Sequence, residues 1–379
     1  MAKKTGQKRY YDYSLVFAVI FLTSFGLLMI YSSSSYMAQI DPKTADAAYY
    51  LKRQGMIAML GFAFMIIVSK IDYHWTLKWA GIMYAMSYVL MILVSLIGRE
   101  VNGKKRWLGV GPLSFQPTEF AKLALILFLT VFIVNMGKKI NTIQGVLIAF
   151  LVDIPIAGLV AKNNLSSGII VGSLVFVMTF VVSRLYWFHL LLGGMAAGAV
   201  AGAVPLAHLL LNMKILQPYQ LSRILVWQNP ADYPQDGGFQ VLQGLYAIGS
   251  GGIMGKGLGE SIQKMGFVPE AQNDMIFAII CEELGLFGAV SLILVFMFMI
   301  YRFVVIANSA PDLYGVCLVT GVMAQIAVQV ILNIAVVTNT IPNTGITLPF
   351  VSYGGTSVLF LMVEIGLVLS VANRIKMDV

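Results

Sequence analysis

Long apolar runs separated by short polar stretches occupy this chain from residue 14 to residue 372. A helix crosses a bilayer's hydrocarbon core of about 30 Å with about 20 apolar residues, since each advances about 1.5 Å. Ten runs are candidate spans: Ser14–Ser32, Gly55–Ser69, Leu77–Ile97, Phe120–Met136, Gln144–Ala161, Gly168–Ser183, Phe188–Leu211, Met275–Tyr301, Tyr314–Val337 and Ser357–Ala372. None shows the period-two alternation of a membrane β-strand. Internal Pro155, Gly193, Gly194 and Pro205 are tolerated in membrane helices. The pattern predicts an all-α integral membrane protein, a polytopic bundle of ten transmembrane helices with one long extracellular loop between spans seven and eight.

Composition agrees with that pattern. Hydrophobic residues make up 59% of the 379 positions and charged residues 11%, against about 25% charged in soluble domains. The expected organisation is one polytopic domain over residues 1–379, with a cytoplasmic tail at 1–13 and the large loop at 212–274. Lys3, Lys4, Lys8 and Arg9 precede an apolar run too long for a signal-peptide core and without a small-residue cleavage site, so it is read as a retained first span. Cys281 and Cys317 lie within apolar runs and are read as packing residues.

With ten spans both termini share a side. Lys and Arg then divide twelve to each side, with Lys122 inside a span, so the raw count does not orient the chain. Short loops and the basic tail beside the first helix weigh most, which places the termini in the cytoplasm. The outward cations then need a reason. Arg99, Lys104, Lys105 and Arg106 crowd between spans three and four, beside Trp107. Contact with anionic headgroups accounts for them on charge alone, and a site for a phosphorylated ligand is the sharper alternative.

The loop at 212–274 holds Arg223, Trp227, Lys256, Lys264, Glu270 and Asp274, and a glycine-dense run from Gly249 to Gly259. Polar loops of this length are usually functional. Glycines let backbone amides approach an anion, although a flexible surface loop explains the same composition. Glu119 and Lys122 stand three apart at the start of span four, on one helical face where they can pair. Asp274 stands at the threshold of span eight, where an ionisable group is a functional candidate. Glu282, Glu283, Glu364 and Asp153 lie deeper, where polar contacts between helices are the commoner explanation.

Four ordered segments resemble the SEDS family of bacterial cell-wall synthesis, the FtsW, RodA and SpoVE proteins. They are Gly103–Gly111 with Ser114–Lys122, Gly249–Gly259, Val268–Phe277 leading into Cys281–Gly285, and Thr344–Ser357, the last closer to FtsW and SpoVE than to RodA. The resemblance implies ten spans with both termini inside, and a peptidoglycan glycosyltransferase that polymerises lipid II at the outer face of the bacterial cytoplasmic membrane. It maps the family's catalytic aspartate onto Asp274, its span-four pair onto Glu119 and Lys122, and its arginine–tryptophan pair onto Arg106 and Trp107. It also implies a class B penicillin-binding transpeptidase and other divisome membrane proteins as partners, at the division septum; no nucleic acid is expected. Two positions depart from the family pattern: Gln272-Asn273 precede Asp274 where many members carry His-Thr, and Asn163-Asn-Leu-Ser-Ser167 replaces Pro-Asp-Leu-Gly.

Joining two lipid-linked disaccharides needs a base at the acceptor hydroxyl and cations at the departing diphosphate. Asp274 is the expected base, and Arg106, Lys105, Arg223 and Lys256 the candidates for the diphosphate, with Trp107 beside the sugar. Glu119 and Lys122 are expected to hold the helix and the cavity in shape. No cofactor is identified; a divalent cation at the diphosphate is chemically admissible, yet no ligand cluster marks one. A lipid II flippase and a non-catalytic scaffold that recruits a transpeptidase are the competing readings.

Overall fold

The computed structural model describes residues 11–42, 44–101, 104–110, 113–202, 205 and 218–376. Those residues form twelve α-helices: α1 Tyr13–Ile40, α2 Tyr49–Lys70, α3 His74–Ile97, α4 Pro117–Met136, α5 Ile143–Asn163, α6 Leu165–Val182, α7 Tyr186–Ala201, α8 Pro218–Gln228, α9 Phe239–Gly251, α10 Ile276–Asn308, α11 Leu313–Val337 and α12 Gly355–Ala372. The helices start where the sequence offers a cap. Asp12 accepts from the Leu15 amide at 2.9 Å, Thr142 from Gly145 at 3.1 Å and Asp312 from Gly315 at 2.7 Å, while Pro117 opens α4. Each cap satisfies an amide that the first turn leaves without a partner.

Nine of the described helices, α1–α6 and α10–α12, are long and apolar enough to cross a membrane. Their surface is inverted relative to a soluble protein. Ile82, Leu96, Leu151, Ile154, Leu294 and Met297 face outward, whereas Glu119, Lys122, Asp153, Glu282, Glu283, Gln325, Asn333 and Glu364 are buried. Lipid as solvent imposes this arrangement, since a polar group in hydrocarbon must find its partners within the protein. Helix α11 runs through the middle against α4, α6 and α10, and α12 packs along α2.

Side-chain contacts fix which helix ends share a face. Arg302 at the end of α10 pairs with Asp12 at 2.7 Å, Arg374 with Asp72 at 3.3 Å, and Asn373 donates to the Ser69 carbonyl at 2.9 Å. Both described ends of the chain therefore lie on one face. The Arg184 amide donates to Asn141 at 2.9 Å on that face, while Trp227 donates to the Asn339 carbonyl at 3.0 Å on the other. Between 184 and 227 the chain passes from one face to the other. The expected seventh span falls there, on α7, whose 16 residues cover about 24 Å; its expected outer part, 203–204 and 206–211, lies outside the described residues.

Two features depart from the sequence reading. The connection between α3 and α4 is a three-stranded antiparallel sheet, β1 Arg99–Val101, β2 Lys104–Val110 and β3 Leu113–Phe115, in the order β1-β2-β3. It pairs Glu100 with Lys105 and Gly109 with Ser114. Helix α10 is interrupted at Gly285, whose φ of 66° lies in the left-handed region. The break frees four backbone groups, and the glycine-rich run takes them up. The Glu282 and Glu283 carbonyls accept from the Lys256 and Gly257 amides, and the Leu286 and Phe287 amides donate to the Gly252 and Ile253 carbonyls, at 2.9–3.1 Å.

Candidate active site

A cavity of about 650 Å³ opens on the face opposite the chain ends. Its wall is assembled from Arg53 of α2, Arg106 and Trp107 of β2, the first turns of α4 and α6, Arg223 of α8, Glu270–Asp274, Gln329 of α11, the 343–347 segment and the start of α12. Helix N-termini point at it from α4, α6 and α12, each carrying partial positive charge.

Asp274 sits just ahead of α10, and three contacts fix its place. Asn333 of α11 donates to the Asp274 carbonyl at 2.9 Å and to the Ile346 carbonyl at 2.6 Å, tying the α10 threshold to the 343–347 segment. The Tyr353 amide donates to the Gln272 carbonyl at 2.9 Å. Gly345 lies beside Oδ2 of Asp274 and has φ 69°, in the left-handed region that favours glycine. Oδ1 is shielded from solvent and accepts no hydrogen bond. Burial, and then the charge of Glu270, push the Asp274 carboxyl up to about 7, with Arg223 and Arg106 opposing. A carboxylate that titrates near neutrality can take a proton in one step and lose it in the next.

The cations divide. Arg106 and Arg223 line the cavity, and Arg223 also donates to the Asn343 carbonyl at 3.1 Å. Lys105 and Lys256, expected beside them, do not line it. The Lys105 ammonium lies on the Leu96 carbonyl at 2.8 Å. Lys256 pairs with Glu282 at 2.7 Å, so the glycine-rich run is fastened to α10 and is not an anion cradle. Glu119 and Lys122 pair at 2.9 Å at the cavity floor, and Ser357 donates to Glu119 at 3.1 Å. Below them Gln325 donates to Glu364 at 2.8 Å. One to two turns further toward the opposite face, α11 buries Gly321, Thr320, Leu318 and Cys317.

The family model described as "Cell cycle protein", which covers FtsW, RodA and SpoVE, matches residues 13–377. The chain belongs to this family. It is 38% identical over 374 residues to stage V sporulation protein E of Bacillus subtilis, covering 97% of this chain and 99% of the relative. It is 34% identical to the "probable peptidoglycan glycosyltransferase FtsW" of Trichlorobacter lovleyi, covering 97% and 94%. A chain solved in a peptidoglycan synthase complex, in work on the coordination of polymerization and crosslinking, superposes with a TM-score of 0.78 at 30% identity, covering 97% and 99%. The protein is thus a multi-pass membrane protein of the FtsW/RodA/SpoVE family.

Around the cavity stand further residues that the sequence pattern did not single out: Arg53 and Gln329 line it, and Asn333 supports its wall. Arg53 stands in the first turns of α2, ahead of the Gly55–Ser69 run, where the sequence shows only one more outward cation. Asn333 and Gln329 belong to a polar stripe, Gln325-Gln329-Asn333, spaced four apart along α11, and that spacing was the available signal. Gln329 donates to the Thr347 carbonyl at 3.0 Å, so the stripe carries the 343–347 segment. Among the described residues no three or more His, Cys, Asp or Glu side chains gather as a metal-ligand set.

Proposed function

We propose that this protein is a peptidoglycan glycosyltransferase that polymerises lipid II at the outer face of the cytoplasmic membrane, with both termini cytoplasmic, for septal wall synthesis beside a class B penicillin-binding transpeptidase. One observation carries the reading: a half-buried carboxylate, Asp274, with one oxygen shielded from solvent, shares a cavity with three arginines that come from three separate elements. Asp274 takes the proton from the acceptor 4-hydroxyl as that oxygen attacks the donor sugar. Arg106, Arg223 and Arg53 hold the diphosphate that departs with the lipid, neutralising the charge it gains in the transition state. Trp107 at the cavity wall offers a flat face to a sugar ring. Direct displacement by one base proceeds with inversion and without a covalent intermediate.

Names of the relatives support the activity, and the layout of charge supports it over translocation. Arg53, Arg106, Arg223, Glu270 and Asp274 gather around the outward cavity and Glu119 and Lys122 at its floor, while α11 carries no charged residue below Gln325. A lipid flippase would more naturally spread buried charges along its crossing path. The test is incubation of the purified protein, with its transpeptidase, in vesicles carrying labelled lipid II. Glycan strands are the expected product. Movement of lipid II between leaflets without polymer would overturn the reading in favour of a flippase, and neither outcome in a folded, partner-bound protein would favour a scaffold.

A further inference from the structure

The segment from Gly252 to Phe267, expected from sequence to lie in an extracellular loop, has its polarity turned inside out. Its two lysines face the protein. Lys264 pairs with the buried Glu283 at 2.8 Å and donates to Ser32 of α1 at 3.1 Å, and Lys256 pairs with the buried Glu282. Ser261 also donates to Glu282. The apolar side chains Ile253, Met254, Leu258, Ile262, Met265 and Phe267 face outward, Met254 with 78% of its surface exposed. Six large apolar groups on one short segment would cost solubility in water, while both ammonium groups are spent on buried carboxylates of α10, Lys264 itself being buried and Lys256 partly exposed.

The position of the segment explains the inversion. Its backbone pairs with Leu286 and Phe287, the first lipid-facing residues of α10. Outward apolar side chains then continue along α10 through Val290, Leu294, Met297 and Tyr301, about 22 Å from Leu286. On α1, Ser32 meets the segment at the same level, with Phe17, Ile20, Phe21, Leu28 and Tyr31 exposed below it. Residues 252–267 therefore stand where the hydrocarbon of the outer leaflet ends. Irregular backbone at that depth needs its polar groups satisfied, and the break at Gly285 supplies four such partners. Glu260, which is exposed, limits the depth to the boundary with the headgroups.

We infer that residues 253–267 form an interfacial anchor seated among the acyl chains and headgroups of the outer leaflet, fastened to the bundle by the Lys256–Glu282 and Lys264–Glu283 pairs. This holds the active-site rim at a fixed height above the bilayer. It also makes the exposed apolar surface a lipid contact.

Nitroxide labels on single cysteines at 254 and 258 test it, in the full-length protein reconstituted into phosphatidylglycerol–phosphatidylethanolamine vesicles. Label sites at 287 and 232 serve as lipid-facing and aqueous references, with each variant first shown monodisperse by size exclusion. Both anchor labels should match position 287, accessible to oxygen and protected from a water-soluble nickel chelate. Accessibility to the nickel chelate like that at position 232 would overturn the inference, as would protection from both reagents, which would mean that protein covers the patch. A third label at 262 keeps the test open if either variant fails to fold, with the same expected and contrary results.

Discussion

Replacing Lys122 by Met puts the reading of the cavity floor at direct risk. Lys122 and Glu119 approach to 2.9 Å with side-chain exposures of 2% and 7%. The substitution preserves the volume of the stem and removes the ammonium, leaving the Glu119 carboxylate with the Ser357 hydroxyl at 3.1 Å. Removing one member of a buried pair costs about 3–5 kcal/mol, because the other is left as an uncompensated charge. Removing both members costs far less, since the desolvation penalty disappears with the attraction. Lys122→Met should therefore lower the thermal midpoint and the folded yield in detergent, and Glu119→Gln with Lys122→Met should recover most of both. Midpoints can be read from the monodisperse fraction after heating. A Lys122→Met protein that unfolds with the wild type yet makes no glycan would refute the structural role and place Lys122 at the chemistry.

Other consequences follow from the same geometry. With the Asp274 carboxyl at about 7, activity at pH 6 should be about a tenth of its plateau and level off above pH 8; a rate flat from pH 5.5 to 8 would exclude this group as the base. The fold favours the protonated carboxyl, so stability should decline as pH rises from about 4 to about 7 and hold above that. Asp274→Asn should flatten that decline in a pH series of thermal midpoints. Asn333→Leu removes both tethers between the α10 threshold and the 343–347 segment, and should lower kcat by about 100-fold while KM changes much less. A Cβ on Gly285 would stand 2.3 Å from the Gly255 nitrogen and 2.5 Å from the Ile253 oxygen, so Gly285→Ala should abolish folded protein in an expression screen, whereas Gly158→Ala, with open space around it, should not.

The sequence made the spans legible because lipid selects one property, apolar length, that periodicity and counting detect. Glu119–Lys122 was legible for a similarly local reason, as two charges one helical turn apart. The sheet at 99–115 was not, since two strands of three residues and one of seven that opens on three consecutive cations leave no alternation to read. Lys256 carried a false signal: its partner Glu282 stands 26 residues away, just ahead of the break at Gly285, which nothing local announces. Asn333 was hidden because a single polar residue in a span reads the same whether it props a cavity wall or touches another helix, and Arg53 because a cation just ahead of a span reads as an ordinary interfacial charge. Asp274 was marked by its place at the helix threshold and by resemblance. Its shielding from solvent and its anchorage through Asn333 became visible only when α11 and the 343–347 segment were packed beside it.

The central claim is that Asp274 removes the acceptor proton in glycan polymerisation. Purified wild type and Asp274→Ala, each with the cognate transpeptidase, should be given labelled lipid II in vesicles and the products resolved by length. The account predicts glycan strands from the wild type and none from the variant, with folding and partner binding unchanged. Strands of equal amount and length from both proteins would contradict it.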